Sequence, residues 1–174
     1  AIKVDLHMPL VFRLYDASGQ IIELPKHDAI KQMETGQYLF ALTKQQAELT
    51  FDKVPTKPIL SCLEGFSAPV QLHQDLSLQE RRILAIHGDD GYQQRHQMMA
   101  LYLAFIEKLL KCDHVDKYPM VDDALVDTFE VLLLNDAIDP LMIKEIIELP
   151  ADGYVLEKMP GTDITRLCQA GQYL

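Results

Sequence analysis

Leu60-Ser61-Cys62-Leu63-Glu64-Gly65-Phe66-Ser67-Ala68-Pro69-Val70-Gln71-Leu72 is where the chain changes its period. Before it, apolar residues mostly alternate; after it, they recur every three or four positions. Alternation marks a strand with one buried face, and the longer spacing marks an amphipathic helix. The junction predicts a β domain over residues 1–74 and an all-α domain over 75–174. The stretch itself reads as the last hairpin of the β domain. Gly65 makes its bend, Pro69 limits its pairing, and Ser67 is structural.

Working back towards the N-terminus, Val4, Leu6, Met8, Leu10, Phe12 and Leu14 alternate with Asp5, His7, Pro9 and Arg13. This predicts a strand with Arg13 on the polar face, and a free edge or bulge at Pro9. Asp16-Ala17-Ser18-Gly19 supplies turn chemistry, and Gln20 to Leu24 reads as a returning strand. Gln37 to Leu42, Glu48 to Phe51, Ile59 to Leu63 and Ala68 to Leu72 read as further short strands. Six runs fall short of the roughly seven strands of an immunoglobulin-like sandwich. A missing first strand fits the abrupt start on Ala1-Ile2-Lys3-Val4, which reads as a cut inside a longer protein. Pattern alone fits a sandwich or a barrel.

Working forward, Ser77-Leu78-Gln79-Glu80 has the form of a capping box and opens a helix to about His87. Gly88 to Gly91 breaks it. Tyr92 to Lys111 carries two adjacent stripes, Met98-Tyr102-Phe105-Leu109 and Met99-Leu103-Ile106-Leu110, so that helix is buried over much of its circumference. Pro119 suits the first turn of a third helix, with Val121, Leu125, Phe129 and Leu132 inward. Asp139-Pro140 opens a fourth helix with Ile143, Ile146 and Ile147 inward. Pro160 to Asp163 leads into a last helix through Leu167. Antiparallel helices on short connections predict the start of an α-superhelix.

The 174 residues, 48% hydrophobic and 24% charged, are those of an ordinary globular protein. The net charge of −10 is uneven: residues up to Asp75 carry −2 and the remainder −8. Arg81-Arg82 is the densest basic patch, so nucleic acid is not an expected partner. No apolar run approaches the ~20 residues of a membrane span. Cys62, Cys112 and Cys168, odd in number and widely spaced, read as reduced thiols of a cytoplasmic protein.

Candidate sites are weak. The six histidines form no His-Glu-x-x-His. Cys112-Asp113-His114 with Asp116 lacks the paired spacing of a zinc site and reads as a solvated loop. Gly65-Phe66-Ser67-Ala68-Pro69 resembles a nucleophile elbow, but Pro69 stands where that motif needs Gly. Gly88-Asp89-Asp90-Gly91 lacks the spacing and closing Glu of a calcium loop. Asp122, Asp123 and Asp127 read as a helix start, and Met98-Met99 as core. No catalytic, cofactor-binding or metal residue is expected here.

Phe51 to Leu72, with its Phe66-Ser67-Ala68-Pro69-Val70, resembles the bacterial aminopeptidase N (alanyl aminopeptidase) family of zinc metallopeptidases. That family closes its immunoglobulin-like domain on a Phe-Ser-Ala-Pro-Val stretch. Val11-Phe12-Arg13-Leu14-Tyr15-Asp16-Ala17-Ser18-Gly19 is similar to the opening Leu-Tyr-Asp-x-x-Gly turn of the same domain. Asp89 to Arg95 loosely matches the segment where the family's helical domain begins, with Asp89, Gln94 and Arg95 in place of Asn, Arg and Trp. Leu132 to Pro140 is similar to a later motif, with Asn135 in place of an Asp. The family's zinc motif, its distant Glu ligand and its Gly-x-Met-Glu-Asn substrate motif belong to an upstream domain. Met33-Glu34-Thr35-Gly36 shares only two letters with the last of these.

The resemblance implies a non-catalytic fragment of a zinc-dependent enzyme that releases N-terminal residues from peptides. It would brace the upstream catalytic domain, help enclose the substrate cavity and continue into further C-terminal helices. Zinc would belong to the parent enzyme and not to this fragment. The rival is a stand-alone module that recruits a partner protein through a sandwich and a helical scaffold.

Overall fold

The computed structural model describes residues 7–34, 36–54 and 56–173. Val4, Asp5 and Leu6 of the first expected strand, and Thr35 of the Met33-to-Gly36 run, lie outside them. The chain divides into two compact units, 1–94 and 95–174, with the division inside a helix.

The first unit holds a four-stranded antiparallel sheet in the order β2-β3-β1-β4. Its strands are β1 (Met8–Tyr15), β2 (Ile30–Glu34), β3 (Gln37–Leu42) and β4 (Ile59–Cys62). Register fixes the faces: Phe12 lies opposite Tyr38 on one side and Cys62 on the other. These three residues are buried with Leu63 and Ala68, and Leu10, Phe40, Leu24, Val70 and Leu72 pack around them. β4 pairs with β1 only from Phe12 to Tyr15. Among the described residues no strand flanks Pro9 on that side, where a residue without an N–H costs no ladder bond.

Three expected strands are not strands. Residues 20–24 make only a single bridge, Tyr15 to Ile21, while residues 48–51 and 68–72 have no ladder. Leu24, Val70 and Leu72 still cover the sheet, so their apolar alternation reports burial without pairing. The missed strand is β2, which is almost wholly exposed. An edge strand with little apolar surface leaves little period-two signal.

The opposite sheet face carries Tyr15 and Ile59, which are buried with Ile83 and Leu84 of α1 (Leu78–His87). The capping box forms as expected: Ser77 Oγ accepts from the Glu80 N–H, and the Glu80 carboxylate accepts from the Ser77 N–H. Gly19, at φ +81°, lets the β1 turn approach this helix; a Cβ there would lie 2.3 Å from the His87 ring.

α2 (Gly91–Leu110) runs from the first unit into the second. Both expected stripes face inward, with Met98, Tyr102 and Leu109 wholly buried and Met99, Phe105 and Ile106 nearly so. α3 (Asp123–Leu133) starts later than Pro119, because Asp122 is its cap and accepts from the Ala124 N–H. α4 (Pro140–Ile147) is capped by Asp139 and buries Ile143 and Ile146. α5 (Asp152–Lys158) was not expected; it is short and buries only Val155. α6 (Ile164–Tyr173) runs beyond Leu167. Val155 and Leu167 bury against Ile106, with Leu103, Leu110, Leu156 and Met159 around them. The fold is an Ig-like β domain followed by a domain of stacked helices.

Candidate functional site

The densest polar construction lies around Arg13, on the sheet face shared by Ser61 and Gln37. Strand alternation would send this side chain to solvent, yet Arg13 is only 3% exposed. Its Nη1 meets the Asp89 carboxylate at 2.7 Å and the Glu64 carboxylate at 3.4 Å. Its Nη2 meets Glu34 at 3.4 Å. Its Nε is buried without a partner. Glu64 is buried too, and accepts from Gln37 Nε2 at 2.9 Å and Ser61 Oγ at 3.0 Å. Burial pushes the Glu64 carboxyl above its ordinary range, against the hydrogen bond from Gln37 and the Arg13 charge. The hydroxyl of Tyr15 accepts from the Asp89 N–H at 3.0 Å, and burial pushes that phenol up.

The loop after β4 closes this cluster. It is a single 3-10 turn, Glu64–Phe66, and not a hairpin bend, because no strand follows. Leu63, Gly65 and Phe66 all have positive φ, at 66°, 60° and 54°. The Asp90 carboxylate accepts from the Gly65 N–H at 2.9 Å and the Gln93 N–H at 2.8 Å, tying the loop to the start of α2. Ser67 Oγ accepts from the Val11 N–H at 3.1 Å, satisfying β1 beyond the reach of β4. The conspicuous serine of the Phe-Ser-Ala-Pro-Val stretch thus completes a strand edge, as a backbone partner would.

The other flagged residues stay apart. Cys112 Sγ donates to the Lys108 carbonyl, and among the described residues no three His, Cys, Asp or Glu gather as a metal group. Asp122 pairs with Lys108 at 2.9 Å besides capping α3. Met33 is half exposed on β2. In the helical unit, an open pocket of about 370 Å³ is lined by Ile106, Val155, Leu167, Asp152 and Cys168. A second, of about 340 Å³, lies between Leu133, Ile138, Pro140 and Ile147. Neither lining includes a histidine, so neither offers an imidazole base to a nucleophile.

Sequence reasoning missed Arg13 and Glu64 as buried partners. The signal was present: Val11 and Tyr15 share Arg13's face, and two apolar neighbours around a charge mark a covered face.

Residues 1–75 match the model of a family described as a domain of unknown function (DUF3458) with an Ig-like fold. Residues 78–174 match that of a domain of unknown function (DUF3458_C) with ARM repeats. The chain belongs to the DUF3458_C family. It is 30% identical over 152 residues to aminopeptidase N of Escherichia coli (strain K12), across 86% of this chain and 17% of that protein. Its fold is that of the crystal structure of Legionella pneumophila aminopeptidase A in complex with aspartic acid. That match has a TM-score of 0.76 at 22% identity, over 97% of this chain and 18% of the other. The aminopeptidase N resemblance read from Phe66 to Val70 therefore stands, and the DUF3458_C chain spans less than a fifth of either relative. No helix among the described residues is long and apolar enough to cross a membrane.

Proposed function

We propose that this chain is the non-catalytic Ig-like and helical portion, 1–74 and 75–174, of a zinc-dependent aminopeptidase that removes N-terminal residues from peptides in the cytoplasm. The supporting observation is the 30% identity to aminopeptidase N over 86% of the chain. In the parent, these domains brace the catalytic domain, help enclose its cavity and join further C-terminal helices. The donors present here do not fit zinc, since the described His, Cys, Asp and Glu side chains form no ligand group. The metal and its chemistry belong upstream, and this chain supplies no catalytic residue.

The test uses the purified 174-residue chain. Metal analysis is expected to find no stoichiometric zinc, and an aminoacyl anilide is expected to remain uncleaved. Retained zinc or turnover overturns the reading. The native reading frame separates this reading from the rival binding module: His-Glu-x-x-His and a distant Glu are expected before Ala1, whereas a start codon at that point removes the enzyme reading.

A further inference from the structure

We draw no further inference here: the strongest candidate, the exposed apolar side chains Leu133, Leu134 and Leu141 at the α3–α4 junction with its open pocket, carries nothing, because nothing in the structure shows what covers them.

Discussion

Arg13, in the unit ending at Gln94, and Arg95 and Arg166, in the unit beginning at Arg95, are held by different means. In the first, Arg13 is paired with side-chain carboxylates, Asp89 and Glu64 foremost. In the second, Arg166 donates to the Leu110 and Cys112 carbonyls at the end of α2. Arg95 donates to the Ile146 and Glu148 carbonyls at the end of α4, where the Tyr102 hydroxyl also donates to Ile147. The helical unit thus fills carbonyls that every helix end leaves open, and those acceptors do not titrate. The β unit relies on mutual side-chain charges, each of which leaves the others uncompensated when lost. The difference teaches where acidity and single substitutions act.

The strongest way to break this contrast is Arg13→Ala. It leaves Glu64 buried without its cation and is expected to cost about 3–5 kcal/mol in urea unfolding at neutral pH. The cost shrinks in acid. Glu64 has a folded-state pKa raised above its ordinary 4.5, so its carboxylate penalises the fold above that raised value. Protonation removes the penalty as pH falls through the raised value towards 4.5. Equal losses at both pH values would refute the buried-carboxylate account.

Ile146→Ala tests the other unit. Ile146 is fully buried on α4, and its truncation is expected to cost about 2–5 kcal/mol. Because that loss is apolar, it should be the same at neutral and acid pH; a pH-dependent loss would erase the distinction between the units.

Ser67→Ala is expected to cost about 1 kcal/mol by removing the acceptor for the Val11 N–H. Faster amide exchange confined to Val11 and its neighbours would locate the effect, and unaltered exchange there would exclude the edge-capping role.

The smallest expected effect concerns Glu80, held at about pKa 2 by the Lys57 ammonium and by Ser77. A depressed carboxylate stabilises above its unfolded pKa, near 4.5, and that contribution is lost as pH falls towards about 2. Glu80→Gln should flatten this limb of the acid unfolding curve, opposite in sign to Glu64. An unchanged limb would assign acid sensitivity elsewhere.

Legibility followed the range of the interactions. The Ser77–Glu80 box, the Asp139-Pro140 start and both α2 stripes are set by residues within one or two turns, so they were readable from spacing. α5 escaped because a helix of this length carries little periodic signal. Residues 68–72 alternate like a strand but cover the Phe12 face without pairing. Alternation records which side is buried and says nothing of which neighbour supplies the hydrogen bonds.

By itself the sequence determined the change of period at Leu60 to Leu72, the β-then-α order, most helix starts and the family to which the chain is similar. Each depends on local chemistry or on residue identity. The sequence hinted through Val11 and Tyr15 that Arg13's face is covered; only the tertiary structure decided that Glu64 and Asp89 are its partners and that Ser67 completes β1. Those contacts join residues tens of positions apart, and a partner that distant leaves no periodic trace in the chain.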